Sequence, residues 1–166
     1  ELCDCIPRIV TETIALEDTI VSVAKDVAQH RDAIFLGRGI HYPMALEAAL
    51  KLKEISYIHA DGYAAGELKH GPIALVDPDM AVIVFDSVGF LQEKTSSNAA
   101  EVKARGARVW HVGRHAEEGI RTPDSAEIVT PFSYAVVAQM LAYHAALARG
   151  TDIDQPRNLA KSVTVE

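Results

Sequence analysis

Cysteine, positive charge and long apolar runs are all scarce in this sequence, and each scarcity closes off a class of protein. Cys3 and Cys5 are the only cysteines. One intervening residue is poor spacing for a mutual disulfide, and two thiols are too few for a structural zinc site. They read as ordinary packed or exposed thiols. No apolar run reaches 18 residues, and no basic stretch leads into an apolar one at the N-terminus. Neither a membrane span nor a signal peptide is therefore expected, and the chain reads as cytoplasmic. Lys and Arg number 16 against 23 Asp and Glu, a formal net charge of -7. That balance argues against nucleic acid as a partner, because such binding draws most of its affinity from cations neutralising phosphates. The sequence opens at Glu1 with no initiator Met and an amphipathic stretch already under way, which suggests a piece of a longer polypeptide.

What is present suits a single globular domain. The 166 residues are 49% hydrophobic and 23% charged, enough to bury about 70% of the surface the unfolded chain exposes. From Thr11 to Gln29 apolar residues recur near a 3.6-residue period, with Thr11 as a candidate N-cap, which predicts one helix with a buried stripe. Ala33–Leu36 is a short apolar run ending in Gly37-Arg38-Gly39, and Pro43 opens a helical pattern to about Tyr57. Ala81–Phe85, Arg108–Val112 and Glu127–Thr130 read as further strands, with Leu91–Arg105 as a covering helix. Tyr134–Arg149 is a strongly apolar helix stopped by Gly150. Strands without strict alternation, separated by long helices, predict a three-layer, doubly wound, flavodoxin-like α/β fold with a mostly parallel sheet. The expected division is an N-terminal helical segment over 1–30, the α/β domain over 31–150, and a polar tail over 151–166.

Ligands of such sheets bind beyond the carboxyl ends of the strands, so Gly37-Arg38-Gly39 and the helix after Pro43 draw attention. In that helix Glu47, Lys51 and Glu54 stand at i, i+4 and i+7 on one face, while Ala45, Ala48, Ala49, Leu52 and Ile55 supply the buried one. On spacing alone, a solvated salt-bridge stripe is the commoner meaning of such a pattern. The segment Asp61–Pro72 is a glycine-bearing connector rich in titratable groups, with His70 in a constrained turn before Gly71-Pro72. His111 and His115 are four apart, but their segment leaves a strand into a Gly-Arg turn, so no metal site is inferred. His30, His41, His59 and His144 read as structural or surface residues.

Four motifs carry a resemblance. Phe35–Gly39, Ala45–Ala60, Gly66–Pro72 and the tail Asp152-Ile153-Asp154-Gln155-Pro156-Arg157-Asn158-Leu159-Ala160-Lys161-Ser162-Val163-Thr164-Val165-Glu166 resemble, in order, the second sugar-isomerase (SIS) domain of the glutamine-dependent fructose-6-phosphate aminotransferases. The likeness runs from about Ala33 onward and is weaker over Val112–Asp124. It implies half of an isomerase module that turns fructose 6-phosphate and glutamine-derived ammonia into glucosamine 6-phosphate, the first step toward UDP-N-acetylglucosamine. It also implies a glutaminase domain and a first SIS domain, which this sequence lacks, so neither Cys3 nor Cys5 takes the glutaminase nucleophile's role. Phosphate binding is expected from that first SIS domain, in keeping with the absence of a basic, Ser/Thr-rich loop after Leu36.

The resemblance further implies roles for matched residues. Lys161 would form an imine with the open-chain sugar, which requires a neutral amine and so burial or a nearby cation, for which Lys51 is placed. Glu54 would move a proton between C1 and C2, helped by partial desolvation. His70 would open the sugar ring and would be supplied across a subunit interface, so a homodimer is expected. Ala160 would give the sugar a backbone contact as the tail folds over it. No metal or organic cofactor is implied. Two other readings stay open: an SIS-type isomerase or deglycase acting on another sugar phosphate, and a sugar-phosphate-sensing regulatory domain. The Asp-Gln-Pro-Arg-Asn-Leu-Ala-Lys tail favours the aminotransferase, and no helix-turn-helix or basic patch supports the sensor.

Overall fold

Short apolar runs between amphipathic helices assemble into alternating elements. The computed structural model describes residues 2–158, with side chains from Asp4 onward. In chain order the elements are α1 (Leu2–Ile14), α2 (Glu17–Val27), β1 (Asp32–Gly37), α3 (Tyr42–Ser56), β2 (His59–Ala64), β3 (Met80–Phe85), α4 (Gln92–Lys103), β4 (Arg108–Gly113), β5 (Gly119–Arg121) and α5 (Thr130–Arg149). Short 3-10 turns, Ala65–His70 and Pro72–Leu75, join β2 to β3.

The sheet runs β2-β1-β3-β4-β5 with every pair parallel, Ile34 standing between Asp61 and Val82. Strand order reverses between β1 and β3. Successive side chains of a strand point to opposite faces, and that rule divides the core in two. Phe35, Ile83, Phe85, Trp110 and Val112 pack under α2, α3 and α5. Ile34, Leu36, Val82, Val84 and Val109 pack under α4 and the Ala65–His70 turn. The three-layer, doubly wound expectation holds. Gly37 closes β1 because a Cβ there would collide with the His41 carbonyl of the turn into α3. Among the described residues no helix is long and apolar enough to cross a membrane.

Three local expectations are corrected. The periodic stretch from Thr11 to Gln29 is not one helix: α1 stops at Ile14 and α2 begins at Glu17. Thr11 lies inside α1 with its hydroxyl on the Pro7 carbonyl at 2.9 Å, and so caps nothing. The break falls where buried Thr13 is tied to Ser133 of α5 at 2.9 Å, while Glu17 and Asp18 suit the positive end of a new helix. Glu127–Thr130 is not a strand but a 3-10 turn over Glu127–Val129 followed by the start of α5. Pro131, pre-set for a first helical turn, decides that outcome, and the fifth strand is β5. Finally, the first third of the Asp61–Pro72 connector, through Ala64, belongs to the edge strand β2.

His41 is a structural histidine, fully buried between β1 and α5. The Thr130 hydroxyl donates to the Glu127 carbonyl at 2.7 Å, so it accepts from His41 Nε2–H at 2.6 Å, and His41 Nδ1 has no partner among the described residues. Burial pushes the imidazole pKa down to about 4, against a smaller opposing pull from Asp86. The folded protein thus binds this proton less readily than the unfolded chain. Stability from the neutral ring is complete above pH 6.5 and is lost as pH falls toward 4, on the order of 3 kcal/mol across that window. Urea denaturation between pH 7 and pH 4 should show the midpoint falling most steeply below pH 6.5; a curve flat down to pH 5 would assign His41 an ordinary proton affinity.

Candidate functional site

The charged face predicted for α3 is present in the fold. Ala45, Ala48, Ala49 and Leu52 are buried, with Ile55 partly so, leaving Glu47, Lys51 and Glu54 on the outward face. Lys51 Nζ donates to Glu54 Oε2 at 2.9 Å and lies 3.8 Å from Glu47 Oε1. The Glu54 hydrogen bond, reinforced by charge attraction from both glutamates against a smaller desolvation effect, raises the Lys51 pKa. Lys51 is therefore a fixed cation at neutral pH, the state expected of it. Leu46 and Leu50 stand exposed on the same side of the helix.

Beside this pair lies a cavity of about 330 Å³ lined by Leu50, Lys53, Glu54, Tyr57, Arg157 and Asn158. The last two belong to the segment after α5, which runs back over the C-terminal end of α3. Lys53, Tyr57, Arg157 and Asn158 were not singled out by sequence reasoning, although all four lie in the motifs that carry the resemblance. Ala160 and Lys161 lie outside the described residues.

His70 is not brought to this cavity. A parallel crossover returns α3 to the starting edge of the sheet, so Glu54, about 18 Å along α3 from Tyr42, lies toward the amino ends of the strands. His70 ends the Ala65–His70 turn, which packs on the face of the sheet opposite α3, and its neighbour Lys69 reaches Glu101 of α4 at 2.9 Å. There its Nδ1–H donates to Glu67 Oε2 at 2.7 Å with the ring largely exposed. Gly37-Arg38-Gly39 and the start of α3 lie at the carboxyl end of β1, whereas Lys51 and Glu54 occupy the opposite end of their helix.

The crevice at the strand-order reversal is different in character. Arg38 spans it to Asn98 of α4 at 3.3 Å, and Phe90 stands at 84% exposure. Between α4 and the end of β4 lies another cleft, lined by Asp86, Gln92, Ser96, Lys103, His111, His115 and Glu118, among others. His111 Nδ1–H donates to Asp86 at 2.7 Å, and that bond raises the His111 pKa. Among the described residues no group of three or more His, Cys, Asp or Glu is arranged to hold a metal.

The all-parallel sheet ordered 2-1-3-4-5, covered on both faces, defines a doubly wound flavodoxin-like α/β domain. The SIS domain family matches residues 26–149, and the chain belongs to that family. It is 54% identical to a glutamine–fructose-6-phosphate aminotransferase (isomerizing) of Bradyrhizobium diazoefficiens, over 97% of this chain and 28% of that protein. It is 51% identical to the enzyme of the same description from Escherichia coli, with the same coverage. Among solved structures it resembles the C-terminal domain of glucosamine-fructose-6-phosphate aminotransferase from Francisella tularensis. There the TM-score is 0.85 and the identity 38%, over 92% of this chain and 45% of that one. It also resembles a glucosamine-6-phosphate deaminase of Thermotoga maritima at TM-score 0.77 and 28% identity, over 99% of this chain and 49% of that one. The chain spans 28% of the length of the curated relatives it matches.

Proposed function

We propose that this chain is the second SIS domain of a cytoplasmic glutamine-dependent fructose-6-phosphate aminotransferase, and that it supplies the isomerisation half of the reaction. The observation that carries the reading is the shared cavity of Glu54 and the segment leading to Lys161, beside a lysine held cationic. The relatives' names supply the substrate class.

In the chemistry proposed, His70 protonates the ring oxygen as the sugar opens. The Lys161 amine adds to the C2 carbonyl and expels water, giving an imine. Ammonia then displaces the lysine, returning its amine and leaving nitrogen on C2. Glu54 removes a proton from C1 and delivers it to C2 while the C1 hydroxyl proton passes to the nitrogen, converting the ketose imine into the 2-amino aldose. The Lys51 charge would favour neutral Lys161. The placement of Glu54 and His70 on elements that cover opposite faces of the sheet supports a composite site in which a partner subunit supplies His70, hence a homodimer. Phosphate binding and ammonia production fall to domains outside this chain.

The test uses the longer polypeptide that carries this domain. Given fructose 6-phosphate and glutamine, it should form glucosamine 6-phosphate and glutamate in equal amounts, measured by mass spectrometry. Interconversion of another sugar phosphate, with no nitrogen transferred, would replace this reading by that of a simple SIS isomerase.

A further inference from the structure

Among the described residues only two side-chain-bearing residues have positive φ, Tyr57 and Asn158, both at 61°. The Cβ resists that left-handed conformation, so it persists where the surroundings fix it. These two residues sit at the two sides of one contact. Tyr57 is the first residue beyond α3, and its phenol oxygen accepts the backbone N–H of Arg157 at 2.8 Å. The Arg157 guanidinium lies 4.1 Å from the centre of the Tyr57 ring, in stacking range of a cation on an aromatic face.

The segment has a second attachment upstream. The Thr151 hydroxyl donates to the Ile55 carbonyl at 2.6 Å. Between the two points, Asp152 accepts the N–H groups of Asp154 and Gln155 at 3.0 and 2.9 Å and fixes the turn. Residues 151–158 are thus pinned twice to the last turn of the helix that carries Glu54, and Asn158 lines the Glu54 cavity. Two anchors set a direction as well as a place. Lys161 is three residues past Asn158, and three trans peptides span at most about 11 Å.

We propose that Tyr57 and Arg157 are positioning residues, a clamp that starts the catalytic tail at the edge of the Glu54 cavity and limits where the Lys161 amine can go. This rests on the imine role given to Lys161 above. Neither residue touches the reacting atoms: the clamp acts through the placement of the lysine.

The test uses Tyr57→Phe, which keeps the ring and removes the acceptor, and Tyr57→Asn, which tolerates positive φ and removes both. Arg157→Lys, which keeps charge but loses the flat stack, completes the set. In the full-length enzyme, turnover should fall about 10-fold to 100-fold in Tyr57→Asn, as expected for ångström-scale misplacement. KM for fructose 6-phosphate should stay within about 3-fold, and Tyr57→Phe and Arg157→Lys should lie between. Borohydride in the presence of fructose 6-phosphate should trap sugar on Lys161 of the wild type, and more slowly in the variants. Amide hydrogen exchange at Arg157 should accelerate in Tyr57→Phe, and this arm carries the proposal if Tyr57→Asn fails to fold. Wild-type trapping rates in the variants, or unchanged exchange at Arg157, would overturn the clamp. No trapping on the wild type would overturn the Lys161 reading instead, with exchange still deciding whether Tyr57 holds the segment.

Discussion

Lys161→Arg in the full-length enzyme should reduce glucosamine 6-phosphate synthesis by on the order of 1000-fold or more while leaving glutamine binding unchanged. The substitution keeps the positive charge and most of the length of the side chain. What it removes is the neutral amine, since a guanidinium does not deprotonate in proteins and cannot add to a carbonyl to form an imine. A lysine amine must lose its proton first, and the proposed site offers a reason for it to do so. Lys51, held cationic by its 2.9 Å bond to Glu54, would disfavour a second positive charge nearby. Synthesis measured with glutamine and again with added ammonia separates the isomerase step from ammonia supply. A variant within 10-fold of wild type under both conditions would remove Lys161 from the mechanism.

The parts of this fold that were legible in the sequence are those whose burial has a period. Ala81–Phe85 is apolar at every position because both faces of a parallel strand are covered. In α3 the same helical spacing that buries Ala45, Ala48 and Leu52 places Glu47, Lys51 and Glu54 together outside. Strand β2 has no such signature. Its sequence, His-Ala-Asp-Gly-Tyr-Ala, lacks β-branched residues, and its extended form comes from pairing with β1. Gly62 belongs there because a Cβ would lie 2.7 Å from the backbone of Ala45, so the residue that suggested a loop is what lets α3 sit against the sheet. The clamp was illegible for a different reason. Tyr57 and Arg157 are 100 residues apart, and no local pattern encodes a contact created by the return of the chain over a helix end. The separation of His70 from Glu54 is likewise a property of the chain path, since only 16 residues separate them in sequence while the sheet lies between the elements that carry them.

That separation sharpens the expectation for Glu54. Replacement by Gln preserves the shape of the side chain and an oxygen able to accept from Lys51 Nζ, so the α3 face and the cavity should stay in place. It removes the carboxylate that would take a proton from C1. Deuterium uptake at C1 of bound fructose 6-phosphate in heavy water, followed by NMR, should slow by about 100-fold to 10,000-fold, the usual contribution of a positioned general base. Affinity for the sugar phosphate should change little. No other described carboxylate replaces it by geometry: the cavity is lined by Glu54 and by no other acidic residue, and Glu47 stands nearly two helical turns back along α3. His70 within the same chain belongs to the turn on the opposite face of the sheet, so any residual exchange through it would require the partner subunit. A Glu54→Gln, His70→Asn double variant distinguishes the two sources. Undiminished exchange in Glu54→Gln that vanishes in the double variant would transfer the proton-moving role to His70. A loss already complete in the single variant leaves that role with Glu54.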